Sequence, residues 1–262
     1  MHGTKFRKKS MSCSSRQGEV RISCVICAYN EAPRIAAVLR VVAAHPLLHE
    51  VIVVDDGSTD ETAEVVRQFP SVRLVSCEIN RGKSFAMATG VAAAEGELLM
   101  LLDADLSGLA AEHVAALAAP VLAGEAAVTI SLRRNSLPIF RAIGLDFVSG
   151  ERVVRKELLG EVLEEIRGLP RFGIEVFMNR RIVAQQLSIA VVRWPEVSQS
   201  RKTEKLGYWK GIRAEWRMIA DLLDVVYPRV LLSQTVQLLS LQAHRRGAAR
   251  LAYRIVNFAY AR

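Results

Sequence analysis

The sequence predicts an α/β protein built on a mostly parallel central sheet with helices on both faces. Three observations carry that expectation. The runs "EVRISCVICA" (19–28), "EVIVVDD" (50–56), "SVRLVSCE" (71–78) and "ELLMLLDAD" (97–105) are almost continuously apolar, as strands covered on both faces must be. Helical patterns separate them, and strand–helix alternation feeds a parallel sheet. The first, second and fourth runs end in "AYNEA", "VDDGSTD" and "DADLSG", and ligands of open parallel sheets bind at the carboxyl ends of strands.

The elements follow in order. After the first strand, "NEAPRIAAVLRVVAAHP" places Pro33 in a first helical turn and Ile35, Val38, Leu39 and Val42 at helical spacing. After the second, "STDETAEVVRQF" sets Ser58 and Glu61 in a capping-box arrangement. "GKSFAMATGVAAAEG" is helical before the fourth strand, and "LAAEHVAALAAPVLAG" is an Ala-rich helix after it. "AVTISLRR" (127–134) reads as a strand, 150–167 and 172–186 as helices, and "LSIAVVRWPEV" (187–197) as a late strand. Residues 1–19 read as a flexible basic tail, 20–198 as the α/β domain, and 199–262 as a basic loop followed by helices.

Composition narrows the class. Of 262 residues 51% are hydrophobic, which is ample for a core. The formal net charge of +8 suits nucleic acid, an anionic membrane or phosphorylated substrates. No nucleic-acid-binding module accompanies that charge, so a nucleic-acid partner is not expected. The C-x-x-C at Cys24 and Cys27 lies inside an apolar run with no second ligand pair, which points to reduced core thiols and a cytoplasmic setting. No apolar h-region opens the chain, and the nearest approach to a spanning segment, 225–241, carries Arg229, Gln234, Gln237 and a kinking Pro228.

Five carboxylates, Glu31, Asp55, Asp56, Asp103 and Asp105, converge on one sheet edge. That is costly without compensating cations or donors. Asp103 and Asp105, two apart, share one side of an extended segment, and hard oxygen ligands of this kind suit Mg2+ or Mn2+ completed by water and phosphate. "CAYNEAP" has no glycine, which excludes a dinucleotide fingerprint, and no P-loop is present.

"VICAYNEAPRI", "VIVVDDGSTDET", "NRGKSFAM" and "LLMLLDADLSG", in that order, resemble glycosyltransferases of family 2 with the GT-A fold. Among these the chain is most similar to dolichyl-phosphate mannose synthases and related polyprenyl-phosphate glycosyltransferases, through "DFVSGERVVRKELL" and the basic "QSRKTEKLG". The resemblance implies an inverting transfer of a hexose from GDP- or UDP-sugar to a lipid phosphate at the cytosolic membrane face, with Mg2+ or Mn2+.

It also implies residue roles. Tyr29 and Glu31 would contact base and ribose, Asp55 or Asp56 would read the base, and Arg81 and Lys83 would meet the diphosphate. Cys27, Val54 and Ala104 would line the same nucleotide-sugar pocket, Cys27 standing where the family often has proline. Asp105 would be the direct metal ligand, Asp103 would lie between ribose and metal waters, and Ser107 would be a further polar ligand. Arg133 or Arg134 would stand near the sugar phosphate, and Arg201, Lys202 and Lys205 would hold an anionic acceptor.

A lipid phosphate needs cations and no base. A hydroxyl acceptor needs one, for which Glu175 and Asp146 are the candidates. A non-catalytic GT-A domain that binds nucleotide or membrane is the alternative from another class. Trp209 and Trp216, seven apart, and the Arg246, Arg250, Arg254 stripe fit either a membrane-surface helix or one packed on the domain. "VVRWPE" lacks the glutamine of the Q-x-x-R-W motif of processive synthases, so a polymerase is not expected.

Overall fold

The computed structural model describes residues 20–169, 173–199 and 228–242. Four strands, β1 (Ile22–Ala28), β2 (Glu50–Asp55), β3 (Val72–Ser76) and β4 (Leu98–Asp103), run parallel in the order β3-β2-β1-β4. The sheet continues through β7 (Arg152–Arg155), antiparallel to both its neighbours, to β6 (Val128–Arg133) and β8 (Ile189–Trp194). A separate two-stranded ribbon pairs β5 (Leu106–Ser107) with β9 (Ser198–Gln199).

The helices are α1 (Ala32–Val42), α2 (Thr62–Arg67), α3 (Lys83–Ala93), α4 (Ala111–Leu122), α5 (Pro138–Ile143), α6 (Glu157–Gly160), α7 (Leu163–Arg167), α8 (Gly173–Ala184) and α9 (Pro228–Ser240). They form two layers. Leu99 and Leu101 of β4 and Val25 of β1 pack with α3, α8 and Leu238 of α9, while Leu98, Met100 and Leu102 pack with α1 and α4. Both faces of β4 are therefore dry, and each buried leucine contributes about 2 kcal/mol. This is why "LLMLL" carries no polar alternation.

Three expectations change. Residues 150–167 are not one helix: β7 forms first and two short helices follow. "VVR" pairs with Leu99 and Met100 on one side and with β6 on the other, and that pairing outweighs local helix preference. Ser58 and Glu61 make no capping box, because α2 starts at Thr62 and the Ser58 hydroxyl instead accepts a hydrogen bond from the Asn30 amide at 2.9 Å. Asp103 and Asp105 do not share an extended segment either, since β4 ends at Asp103 and residues 104–105 form a turn.

The helix at 228–240 packs on the domain. Leu238 is fully buried, the Gln234 amide donates to the Val176 carbonyl, and Gln242 donates to the Gly144 carbonyl. Trp209, Trp216 and the arginine stripe from Arg246 lie outside the described residues, as do Arg201, Lys202, Lys205 and the tail at 1–19. Among the described residues no helix is long and apolar enough to cross a membrane.

Strand order reverses between β1 and β4, whose neighbours in sequence lie on opposite sides, and the crevice outside such a switch point is where open α/β sheets bind ligands. There Cys27 stands beside Val54 on one side and Asp103 on the other. Helix α3 reaches this edge because Gly90 lets it lie on the sheet: a Cβ there would stand 2.4 Å from Val25 Cγ1. Gly90→Val should therefore lower stability by roughly 1–3 kcal/mol through overpacking. Gly160→Ala, where a Cβ meets nothing closer than 3.9 Å, should be near neutral. Urea denaturation midpoints check both.

Candidate active site

The loops after β1 and β2 are knitted to each other. Asn30, held at φ 56°, accepts from the Thr59 amide at 2.9 Å through Oδ1. The Glu31 amide donates to Thr62 Oγ1 at 2.8 Å, and the Ala32 amide to Asp60 Oδ2 at 3.2 Å. Most of the carboxylates expected here are occupied by the fold itself. Asp55 accepts from the Ser58 amide at 3.2 Å, and Glu31 pairs with Arg34. Asp56 accepts from the amides of Arg81 and Gly82 at 3.0 and 2.7 Å, which fixes the entry to α3. Of the two, Asp56 is thus the loop clamp. Tyr29 stands exposed at the rim.

Lys83, first residue of α3, reaches across the edge. Its Nζ lies 2.8 Å from Asp103 Oδ1 and 2.8 Å from Glu175 Oε1 in the first turn of α8. Desolvation opposes its charge, but Asp103 and Glu175 outweigh that and hold its pKa well above the ordinary lysine value. Burial likewise opposes the Asp103 carboxylate, and Lys83 and Arg133 overcome it, leaving the group more acidic than usual. Gly150 makes the pair possible: a Cβ there would lie 2.8 Å from Asp103 Oδ1 and 3.0 Å from Lys83 Nζ. The second Glu175 oxygen, Oε2, is buried without a partner.

Arg133 lies beneath, 8% exposed. Its Nη1 donates to Glu151 Oε1 at 2.9 Å and to Gln199 Oε1 at 2.8 Å, and Nη2 stands 3.8 Å from Asp146 Oδ2. Glu151 is closed off by the hydroxyls of Ser131 and Ser149, and Arg152 by Asn179 and the carbonyls of Phe147 and Ser149. Arg134, next in sequence, is exposed, and its carbonyl accepts from the exposed Arg141 at 3.0 Å.

Asp105 differs from the others. No lysine or arginine among the described residues forms an ion pair with it. Burial, reinforced by Asp103 and Glu31, pushes its pKa up to about 7, while the Gln199 amide works the other way. Such a carboxylate suits an incoming cation. Among the described residues no three His, Cys, Asp or Glu side chains are arranged to hold a metal, so the protein would supply few ligands and a diphosphate and water the rest, as Mg2+ and Mn2+ accept. The donor set fits.

The structure thus gathers Lys83, Asp103, Asp105, Arg133 and Glu175 at one edge, with Asp146 behind Arg133. Val54 is fully buried in the core, so its side chain packs against α3 rather than lining a pocket. Cys27 abuts this group, with burial pushing its thiol up to about 12, and Ala104 is buried in the turn. Ser107 is exposed on β5. Arg81 stacks its guanidinium 3.7 Å over Phe85. Sequence reasoning quoted Glu151 and Arg152 within "DFVSGERVVRKELL" and Gln199 at the head of "QSRKTEKLG" without assigning them roles, and it missed Asn179.

The family profile described as "Glycosyl transferase family 2" matches residues 23–162, more than half of the chain. A dolichyl-phosphate beta-glucosyltransferase of Trichomonas vaginalis is 37% identical over 100 residues, 33% of this chain and 30% of that protein. An undecaprenyl-phosphate 4-deoxy-4-formamido-L-arabinose transferase of Aeromonas hydrophila is 42% identical over 94 residues, 32% of this chain and 29% of that protein. The matches thus span about a third of those relatives' lengths. Glucosyl-3-phosphoglycerate synthase of Mycobacterium tuberculosis, solved with Mn2+, UDP and glucosyl-3-phosphoglycerate, superposes with a TM-score of 0.60 at 26% identity over 78% of this chain and 79% of that one.

A carboxylate whose folded pKa exceeds its unfolded value loses stability as pH rises, here between about 4 and about 7. Above that window the metal-free protein carries an uncompensated Asp105 charge. Asp105→Asn should therefore melt a few degrees higher than wild type at pH 8 without metal. The gap should shrink toward pH 5. Thermal melts in chelator across that range check it.

Proposed function

Because the chain belongs to glycosyltransferase family 2, we propose that it transfers a hexose from a nucleotide-diphosphate sugar to a polyprenyl phosphate, with a divalent cation, as a peripheral protein at the cytosolic membrane face. The observation that carries the donor chemistry is Asp105, a carboxylate with no ion-pair partner among the described residues, at the β1–β4 switch point beside the Lys83–Asp103 pair. The Mn2+ and UDP found with the mycobacterial synthase support a diphosphate and cation at this edge.

The cation, when bound, would neutralise charge on the departing diphosphate. Asp105 would hold it, and Asp103, fixed by Lys83, would lie between the ribose and the metal's waters. Lys83 and Arg81 add positive charge beside the diphosphate, a preorganised field of the kind that stabilises developing anions. Asp56 keeps the Arg81–Gly82 backbone in place, and Tyr29 covers the base. Ser107, exposed on β5 two residues after Asp105, would be a further polar ligand.

The acceptor attacks the anomeric carbon opposite the diphosphate. A lipid phosphate arrives ionised, and cations would serve it: the exposed Arg134 and Arg141, together with Arg201, Lys202 and Lys205 of the basic sequence that lies outside the described residues. The polyprenyl-phosphate relatives support this acceptor. A second reading is a hydroxyl on a small phosphorylated acceptor, favoured by the partnerless Glu175 Oε2 and by the phosphoglycerate product in the mycobacterial complex. Glu175 would then take the proton. Asp146 is less suited to that, because its Oδ1 accepts from the Val148 amide and its Oδ2 stands 3.8 Å from Arg133 Nη2.

A panel of UDP- and GDP-sugars with Mn2+, offered undecaprenyl phosphate in detergent or 3-phosphoglycerate, separates the acceptors. Organic-phase product with undecaprenyl phosphate supports the lipid reading, and water-soluble product alone overturns it. Asp105→Ala should lower transfer at least about 100-fold, and full activity in that variant contradicts the metal role. Glu175→Gln should keep at least about a tenth of lipid-phosphate transfer, whereas a hydroxyl acceptor requires a loss of about 100-fold or more.

A further inference from the structure

We infer that Gln199 is a positioning residue for the cation site, a neutral amide set between the Arg133 guanidinium and the Asp103–Asp105 pair. The inference rests on the metal-dependent reading above. Gln199 uses both ends of its side chain: Oε1 accepts from Arg133 Nη1 at 2.8 Å, and Nε2 donates to Asp103 Oδ2 at 3.1 Å. Its backbone is fixed as firmly. The amide donates to Asn135 Oδ1 at 3.1 Å, the carbonyl accepts from Asn135 Nδ2 at 2.8 Å, and β9 aligns Gln199 opposite Leu106, the residue after Asp105.

The consequence is a division of labour between the two aspartates. Lys83 donates to Asp103 Oδ1 and Gln199 to Asp103 Oδ2, so both oxygens of Asp103 already carry a hydrogen bond, while among the described residues no lysine or arginine pairs with Asp105. Arg133 Nη1 stands 3.9 Å from Asp103 Oδ2, outside hydrogen-bond range, while the amide bridges both at bonding distance. Remove the amide and the guanidinium can close directly on Asp103, turning that carboxylate away from the ligand. An amide satisfies both ions without adding charge; a carboxylate in its place would set a further anion against Asp103. Groups that orient metal ligands in this way typically govern affinity by about 10–100-fold.

The test is Mn2+ binding to the full chain in the presence of UDP, followed by the electron paramagnetic resonance of free Mn2+, beside steady-state transfer. Gln199→Met keeps the side chain's length and removes both hydrogen bonds. It should weaken Mn2+ about 10-fold and lower kcat with little change in the KM for nucleotide sugar, while the melting temperature stays within a few degrees. Asn135→Ala, which removes the two hydrogen bonds between Asn135 and the Gln199 backbone, should shift Mn2+ affinity in the same direction by a smaller factor. Wild-type Mn2+ affinity in both variants overturns the inference. Weakened Mn2+ binding in Gln199→Met alone, with a collapsed melting transition, also overturns it in favour of a purely structural role. Failure of the wild-type protein to bind Mn2+ with UDP overturns the metal-dependent reading itself, which separates the two.

Discussion

The Lys83 ammonium, shared at 2.8 Å by Asp103 and Glu175, ties together the three elements that make the edge of the sheet a site. It joins the start of α3, the end of β4 and the first turn of α8. Without it two carboxylates would face each other in a desolvated cleft, an arrangement that drives one of them to protonate. Its geometry needs room, and Gly150 provides it, because any side chain there would meet the Asp103 oxygen at 2.8 Å. The Asp56 clamp on the Arg81 and Gly82 amides fixes where α3 begins and hence where the ammonium can reach.

Charge at this edge is arranged in layers. The deepest charges are hydrogen-bonded, Glu151 to serines and Arg133, Arg152 to an asparagine and carbonyls, and Arg133 to Glu151 and Gln199, which offsets much of the penalty of burying them. Nearer the surface, Asp103 is held on both oxygens. At Asp105 no lysine or arginine among the described residues forms an ion pair, and there burial pushes the carboxyl up to about 7.

Much of this was legible in the chain. Continuous apolar strands and their polar ends identified the parallel sheet, its ligand edge and the two aspartates. "NRGKSFA" singled out Lys83, though not that it bridges Asp103 and Glu175, since α8 meets α3 only through tertiary packing. β7 was misread because "ERVVRKELL" places charges at helical spacing; a buried Arg152 looks solvated until Asn179 and two carbonyls are seen to enclose it. Gln199 heads the quoted "QSRKTEKLG" yet had no role assigned there, because a glutamine acquires this role only from the β5–β9 ribbon that brings it back to Asp105. The five-carboxylate cluster was overread for the same reason: Asp55, Asp56 and Glu31 find their partners in loops and in Arg34, which spacing alone does not reveal.

The central claim is that the protein offers a cation one open carboxylate and leaves the remaining coordination to a diphosphate. Mn2+ titrations of the wild-type chain and of Asp105→Asn, each with and without UDP, test it directly. The account predicts weak Mn2+ binding alone, binding at least about 10-fold tighter with UDP, a coupling of about 1.4 kcal/mol, and loss of that coupling in Asp105→Asn. Equally tight Mn2+ binding without nucleotide, or undiminished coupling in Asp105→Asn, would contradict it.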